Sequence, residues 1–276
     1  MTYALKSVLS IAGSDSSGGA GIQADIKTIE ALGLFAQTAV TALTAQNTTG
    51  VAGVFESTPE FVRAQMDAVF ADIRPDAVKI GMVSSGDLVR AIASGLRSHG
   101  AKNVVVDPVM VATSGSALMG EGVKDVLVSE LFPLARVVTP NILEAEALSG
   151  VSISSKADME RAAQAISATT PGAVLVKGGH DVDATRADDL LYTEGNCMWI
   201  SGVRIETSNT HGTGCTLSSA IACGLAEGCD VEDAVVRAKR YVAGALAAGL
   251  DMGQGCGPLD HLWALRGALE TRGSEA

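Results

Sequence analysis

Aromatic side chains are scarce in this chain, at 4% of its 276 residues, although 47% of the residues are hydrophobic. The interior must therefore be filled mostly by Val, Ile, Leu and Ala. Small aliphatic side chains of this kind suit helices layered on a sheet better than sandwiches that depend on large aromatics. The length allows one large domain with a substantial core. We therefore expect an α/β fold.

Further absences restrict the classes of function. No apolar run is long enough to span a bilayer, and the first seven residues lack the regions of a secretory signal. The five cysteines form no CxxC pair, which argues against a structural zinc site and favours reduced thiols. The net charge is −11 and no basic run occurs, so a nucleic-acid surface is not expected. These features predict a cytoplasmic protein that binds neither membrane nor nucleic acid.

Short apolar runs alternate with helix-period segments along the chain. Strands are predicted at 7–13, 38–45, 77–83, 103–109, 136–139 and 173–177. Helices are predicted at 22–32, 60–73, 87–98, 213–226, 232–249 and 259–269. The stretch 188–205 breaks this rhythm and indicates a hairpin at the sheet edge. Continuous Val/Ile/Ala strands between helices indicate a mainly parallel sheet covered on both faces. We predict one doubly wound α/β domain over residues 1–276, with ligands bound at the carboxyl ends of its strands.

The first strand leads into a glycine-rich turn, in which Gly19-x-Gly21-x-x-Ala24 nominally fits a dinucleotide-binding fingerprint. The acidic ribose ligand expected at the end of the second strand is absent, and Gln46 and Asn47 occupy that region. The glycines are better explained by a tight turn that lets the backbone approach a small substrate. A GxxxxGK[ST] phosphate loop is also missing.

The segment THGTGCT at 210–216 opens an Ala-rich helix. Gly212 and Gly214 place backbone N–H groups at the helix N-terminus, where unpaired donors and the helix dipole favour an anion. A glycine-containing helix cap without a ligand is the alternative. Cys215 lies in the first turn, where the pKa of a thiol is expected to fall. Its alternative role is that of a small buried apolar residue.

Polar side chains follow three later strands. Asp107 ends a Val-rich strand, Asn141 and Glu144 lie at a strand-to-helix junction, and Lys177 ends the next strand. Carboxylates and an amide at strand ends could hold a hydrated Mg²⁺ beside phosphates. Asn141 and Glu144 could equally cap the helix, and the two roles do not exclude each other. Lys177 could reach a phosphate as a point charge.

Together and in this order, the motifs resemble the ribokinase superfamily over nearly the whole chain, and within it the hydroxymethylpyrimidine/phosphomethylpyrimidine kinases. The matching segments are AGSDSSGGAGIQAD at 12–25, TAQNT at 44–48, KIGMV at 79–83, DPVMV at 107–111, VKGGH at 176–180 and HGTGCTL at 211–217. The resemblance implies two successive transfers from ATP, with Mg²⁺, in thiamine biosynthesis. The first phosphorylates the hydroxymethyl group of 4-amino-5-hydroxymethyl-2-methylpyrimidine, and the second converts the monophosphate to the diphosphate. It also implies a homodimer, because relatives are commonly dimers.

The same resemblance implies a role for each site residue. Gln46 would hydrogen-bond the aminopyrimidine, since its amide offers a donor and an acceptor side by side. The pocket around the ring would be shaped by Gly13, Asp25, Met82 and Val109. Mg²⁺ and the phosphates would be organised by Asp107 and Glu144, and the nucleotide end by Asn141, Lys177 and Thr210. The catalytic turn would comprise Gly212, Thr213, Gly214 and Cys215. In this turn Cys215 would assist deprotonation of the hydroxyl or orient it, while the glycine amides stabilise the transferring phosphoryl group.

The chain departs from the family pattern at Thr113, where relatives often carry a basic residue. If that residue holds the second phosphate, the diphosphate-forming step is expected to be weaker here. The Gly/Ser-rich loop 113–120 is expected to close over the site as a lid.

Three other functions compete with this interpretation. A pyridoxal-type kinase binds a ring of similar shape, but Gln46 with Met82 favours a pyrimidine, and dedicated pyridoxal kinases usually keep Asp at the position of Cys215. A non-catalytic pyrimidine sensor would be expected to lose the magnesium and anion-binding residues, which are all present. An NAD dehydrogenase would leave the phosphate-transfer residues without a purpose.

Overall fold

The structure is a computed structural model that describes residues 4–110, 120, 122–179 and 185–266. Its strands are β1 Ser7–Asp15, β2 Phe35–Asn47, β3 Gly50–Glu56, β4 Ala77–Ile80, β5 Val104–Val106, β6 Val137–Val138, β7 Ala173–Val176, β8 Asp189–Thr193 and β9 Asn196–Ile200. They form one sheet in the order β3-β2-β1-β4-β5-β6-β7-β8-β9. The six strands from β2 to β7 in this order are parallel, β3 is antiparallel at one edge, and β8 and β9 are antiparallel at the other.

Helices cover both faces of the sheet, as predicted. They are α1 Gly21–Ala31, α2 Pro59–Asp72, α3 Gly86–His99, α4 Val123–Glu130, α5 Ile142–Ser149, α6 Lys156–Ser167, α7 Thr213–Ala226 and α8 Val231–Ala247. One hydrophobic core lies between the sheet and the face formed by α2 to α6. The other lies between the sheet and α1, α7 and α8.

The chain leaves β1 toward β2 on one side and returns to β4 on the other. In an open parallel sheet, this reversal creates a crevice at the carboxyl ends of β1 and β4. α7 runs beside β1, β4 and β5, packed between α1 and α8. Its small residues permit this depth, since every residue from Thr216 to Ala226 is buried. The sequence therefore brings the N-terminus of a buried helix to the edge of the sheet where ligands bind.

The predicted edge hairpin in 188–205 is confirmed as β8 and β9. β3 was not predicted, because most of its residues are exposed and it lacks the alternation of a half-buried strand. The helix predicted at 259–269 is wrong over its first residues, since residues 259–262 are not helical and a 3₁₀ turn, Trp263–Leu265, follows them. There the Asp260 carboxylate accepts from the Leu262 amide, and the Tyr241 hydroxyl donates to the His261 carbonyl, so the chain is held by side chains instead of a helical ladder. Among the residues described, no helix combines the length and apolar character needed to cross a bilayer.

Candidate active site at the carboxyl ends of the strands

A cluster of charged side chains lies where β5, β6 and β7 end. Lys177 Nζ donates to Asp107 Oδ1 at 2.8 Å and lies 3.9 Å from Glu144 Oε2. Thr139 also donates to the Asp107 carboxylate at 3.1 Å, and the Ser218 hydroxyl, which donates to the Gly214 carbonyl at 2.9 Å, lies 3.3 Å from it. The carboxylates of Asp107 and Glu144 are almost fully buried. The sheet thus brings together three side chains that the sequence separates by up to 70 positions.

The protonation of this cluster follows from its charge balance. Burial raises the pKa of Glu144, and the Asp107 charge adds to the rise while Lys177 opposes it. Burial also acts against the ionised Asp107, but Lys177 and Lys79 hold its pKa below the ordinary value. The pKa of Lys177 is raised by Asp107 and Glu144 in spite of burial. Two carboxylates therefore share one lysine, which leaves an excess of negative charge.

The N-terminus of α7 faces this cluster directly. A Cβ atom at Gly214 would lie 3.4 Å from both Asp107 Oδ2 and Lys177 Nζ. The backbone amides of Gly214 and Cys215 have no hydrogen-bond acceptor within the described part of the chain. Free amides at a helix N-terminus beside a lysine can bind phosphate oxygens. The arrangement can therefore hold an anionic group within reach of Asp107 and Lys177.

Gly212 fixes the entry into α7. Its φ is +87°, a conformation that favours glycine, and a Cβ atom there would overlap the carbonyl oxygen of Gly19 in the first glycine-rich turn. The two glycine-containing turns therefore meet backbone to backbone. At the next position, Thr213 Oγ1 donates to the Thr210 carbonyl at 2.7 Å, and the Thr210 side chain is exposed beside Cys256.

Asn141 and Glu144 form a reciprocal helix cap on α5. Glu144 N donates to Asn141 Oδ1 at 2.9 Å, and Asn141 N donates to Glu144 Oε2 at 2.7 Å. The capping role considered from the sequence is thus present. The cap uses Glu144 Oε2, and the carboxylate also accepts from the Met110 backbone amide. A second role of the carboxylate toward a ligand is compatible with this geometry.

The predicted low pKa of the Cys215 thiol is wrong. Burial raises the pKa of Cys215 to about 11, against the favourable charge of Lys79, and the charges of Asp25 and Asp107 raise it further. The sequence argument considered only the helix N-terminus, whereas the thiol is enclosed beside two carboxylates. Cys215 is consequently a neutral thiol at physiological pH.

Asp25, which is expected to help shape the substrate pocket, contributes to this region from beneath its surface. Its side chain is fully buried, both carboxylate oxygens accept from Lys79 Nζ at 2.8 and 2.9 Å, and Ser10 and Ser219 donate to it as well. Asp25 therefore has no surface to offer a ligand and instead neutralises Lys79 beneath the site. Lys79 was not singled out as a site residue, although a lysine inside a buried-type strand signals a buried acidic partner.

Gln46, Met82 and Val109 are partly buried at the same edge of the sheet. Gly13 lies under Met82, because a Cβ atom at Gly13 would come within 3.2 Å of Met82 Sδ. The Gln46 amide lies 3.3 Å from His211 Nε2. These residues can form a pocket for a flat ring, and their contact with substrate stays a prediction.

Two residues of this region were missed from the sequence. Asp15 accepts hydrogen bonds from Ser17, Gly19 and Ala20 of the first turn and from His211 Nε2, the last at 2.8 Å. Asp15 and His211 thereby join the first turn to the entry of α7. Both were visible within the quoted motifs, but only folding shows that they are partners. Thr113, the loop 113–119 and His180 lie outside the described residues.

The sequence of this chain is similar to that of a known family of kinases and of two of its members. A family described as phosphomethylpyrimidine kinase matches residues 15–260. A hydroxymethylpyrimidine/phosphomethylpyrimidine kinase of Rhizobium meliloti is 54% identical over 92% of this chain and 96% of its own length. The protein of that name from Streptomyces coelicolor is 48% identical over 94% of this chain and 95% of its own length.

Two solved structures illustrate the fold. The ADP complex of Bacillus subtilis pyridoxal kinase superposes with a TM-score of 0.88 at 36% identity, over 95% of this chain and 99% of its own. A phosphomethylpyrimidine kinase of Clostridium difficile superposes with a TM-score of 0.76 at 44% identity, over 87% of this chain and 99% of its own. The doubly wound, mainly parallel α/β fold predicted from the sequence is therefore confirmed.

Proposed function

This chain belongs to the phosphomethylpyrimidine kinase family, and we propose that it carries out both phosphorylations of the pyrimidine precursor of thiamine. It is a kinase of thiamine biosynthesis with ATP as its co-substrate. In the first transfer the hydroxymethyl oxygen of 4-amino-5-hydroxymethyl-2-methylpyrimidine attacks the γ-phosphorus of ATP. The bond from that phosphorus to the bridging oxygen breaks, ADP leaves, and the hydroxyl proton is released to solvent. In the second, a phosphate oxygen of the monophosphate attacks in the same way and yields the diphosphate.

The observation that carries the residue assignment is the contact of α7 with the charged cluster. The amides of Gly214 and Cys215 and the ammonium group of Lys177 surround the place where a phosphoryl group would pass from donor to acceptor. Phosphoryl transfer depends chiefly on positioning and on stabilising charge at the phosphoryl oxygens. We assign this role to the turn from Gly212 to Cys215, with Asn141, Lys177 and Thr210 toward the nucleotide.

Asp107 and Glu144 fit a magnesium ion. They supply the oxygen ligands that this ion prefers, and their excess negative charge over Lys177 would be balanced by a cation. In the described ranges no three acidic, histidine or cysteine side chains form a metal cage, so phosphate and water oxygens would complete the coordination. When bound, Mg²⁺ would neutralise charge on the phosphates. Asp107 and Glu144 would hold it, and Lys177 would keep Asp107 ionised.

We assign ring recognition to Gln46, with Gly13, Met82 and Val109 around the ring. Cys215, as a neutral thiol, would orient the attacking hydroxyl by a hydrogen bond instead of removing its proton. This choice between the two roles considered for Cys215 rests on its raised pKa.

The test of the function is a time course with the purified protein, Mg·ATP and the hydroxymethylpyrimidine, followed by mass spectrometry. We expect the monophosphate first and the diphosphate later. Monophosphate alone would keep the kinase assignment but remove the second activity, and would direct attention to Thr113. Absence of both products would contradict the proposal.

A pyridoxal kinase activity is the second candidate. The observation that favours it is the superposition with Bacillus subtilis pyridoxal kinase, which covers nearly the whole of both chains. Pyridoxal should therefore be included as a competing substrate in the same assay, and preferential phosphorylation of pyridoxal would make it the principal activity.

We further propose that residues 1–276 form a single kinase domain, that the protein is cytoplasmic, and that it forms a homodimer. The β2–β3 ribbon supports the last point, because its paired residues Leu43 and Phe55 are 53% and 74% exposed. Apolar side chains exposed together on a projecting ribbon are typical of a protein interface.

A further inference from the structure

His211 Nε2 lies between the Asp15 carboxylate and the side-chain amide of Gln46, one of the residues of the predicted ring pocket. It is 2.8 Å from Asp15 Oδ2 and 3.3 Å from the Gln46 amide. The imidazole is only 6% exposed, so protein groups determine which atom it presents to each neighbour. The protonation of Nε2 therefore decides how the Gln46 side chain is held.

Asp15 settles the protonation of Nε2. Its carboxylate accepts from the amides of Ser17 and Ala20, both at 2.8 Å, and from that of Gly19 at 3.1 Å. Burial acts against the charge, but the hydrogen bonds from His211, Ser17 and Ala20 hold the pKa of Asp15 well below its ordinary value. An ionised carboxylate only accepts, so His211 Nε2 must carry a hydrogen. That hydrogen is directed at Asp15, and a ring nitrogen that carries a hydrogen cannot accept one, so His211 Nε2 offers no acceptor to the Gln46 amide.

Thr44 constrains the other end of the Gln46 amide. Its hydroxyl has one hydrogen, which is donated to the Ser14 carbonyl at 2.9 Å. The same oxygen lies 3.4 Å from the Gln46 amide. Because its hydrogen is committed to the shorter bond, Thr44 Oγ1 offers Gln46 an acceptor. The amide therefore lies between His211 Nε2, which cannot accept a hydrogen bond, and Thr44 Oγ1, which can.

These two neighbours select one orientation of the amide. Gln46 Nε2 is the atom nearest His211, and Gln46 Oε1 is the atom nearest Thr44. In this order the donor Nε2 faces a ring nitrogen that already carries a hydrogen, and the acceptor Oε1 faces a hydroxyl oxygen that can only accept. The oxygen and the nitrogen of a carboxamide are told apart by their hydrogen-bond partners, and a half-turn of the Gln46 amide removes both mismatches. We infer that Gln46 works with Oε1 toward His211 and Nε2 toward Thr44, and that His211 and Thr44 are positioning residues for substrate specificity.

If the Gln46 amide is held in one orientation, it can hydrogen-bond only a ring whose neighbouring donor and acceptor stand in the matching order. This step rests on the proposed function, in which Gln46 meets the aminopyrimidine. The 4-amino group donates to Oε1 while the neighbouring ring nitrogen accepts from Nε2. The 4-oxo analogue, 5-hydroxymethyl-2-methylpyrimidin-4-one, presents the reverse order when its ring nitrogen is protonated. If the amide cannot turn, both hydrogen bonds to that analogue are mismatched.

The experiment compares kcat/KM for the amino substrate and its 4-oxo analogue. We expect the wild type to prefer the amino compound by on the order of 100-fold or more, since both contacts are mismatched in the analogue. In Thr44→Val, which preserves shape, and in His211→Leu, we expect the preference to fall to about tenfold or less, because the amide can turn. Thr38→Val, the same substitution on the same strand β2, should keep the wild-type preference.

The ratio separates positioning from a structural role, because a merely weakened fold lowers both rates together. Because His211→Leu removes one partner of Asp15, its rates are compared with those of the wild type only after thermal unfolding shows that the variant is folded. Thr44→Val tests the other side of the amide independently. An unchanged ratio in folded Thr44→Val overturns the inference while the kinase assignment stands. A wild type that does not phosphorylate the amino substrate overturns the proposed function and this inference with it.

Discussion

Cys215 illustrates how burial outweighs a local effect of helix geometry on a single residue. With a pKa of about 11, only about one thiol in ten thousand is ionised at pH 7. We therefore predict that Cys215→Ser keeps kcat within about tenfold of the wild type, since a hydroxyl preserves the hydrogen bond. Cys215→Ala should lose on the order of tenfold in kcat, because that bond is removed.

The measurement is kcat for both variants between pH 6 and pH 9. If Cys215 only orients the substrate, the pH profile of Cys215→Ser matches that of the wild type. A wild-type rate that rises tenfold per pH unit, and loses this rise in Cys215→Ser, would instead identify the thiolate as the base. Unchanged turnover in Cys215→Ala would remove any catalytic role.

At the scale of the element, α7 carries a matched pair of glycines at its two ends. Gly212 and Gly228 have φ values of +87° and +91°. A Cβ atom at Gly212 would overlap the Gly19 carbonyl, whereas nothing lies within 4 Å of one at Gly228. The backbone strain of an alanine is therefore similar at both positions, and only Gly212 adds a clash at the site.

We predict that Gly228→Ala lowers the free energy of unfolding by about 1 kcal/mol and leaves kcat/KM unchanged. Gly212→Ala should cost more stability and reduce kcat/KM by about 100-fold or more, because the amides of α7 are displaced from the phosphoryl group. Urea unfolding and steady-state kinetics measure the two effects. Equal activity in both variants would contradict the role given to the turn.

The same element shows what a sequence can and cannot predict. The bounds of α7 and its glycines follow from pattern, and the strand-end rule indicates that Asp107 and Lys177 are neighbours. The Lys79–Asp25 pair does not follow, because it joins a strand and a helix 54 positions apart. The raised pKa of Cys215 depends first on burial of the thiol and then on the charges around it, so it could not be predicted from its place in a helix.

At the scale of the whole molecule, the exposed β2–β3 ribbon is the feature that the single chain leaves unexplained. If it forms the proposed homodimer interface, Phe55→Asp should yield a monomer, since a buried charge without a partner is costly. Val203→Asp is the control, because Val203 is 80% exposed and pairs with Arg186, close to β8 and far from the β3 edge of the sheet. Sedimentation velocity over a range of concentrations measures the mass. A dimer that persists in Phe55→Asp would contradict this choice of interface.

The contact between the first glycine-rich turn and the entry of α7 also has a consequence for biosynthesis. Asp15 and His211 are 196 positions apart in the chain. A nascent polypeptide therefore emerges from the ribosome with Asp15, Gln46, Asp107 and Lys177 long before the helix that completes their site is translated. During that interval the apolar surface of β1, β4 and β5 against which α7 packs is uncovered, and a chaperone that shields it would protect the chain until its last quarter arrives.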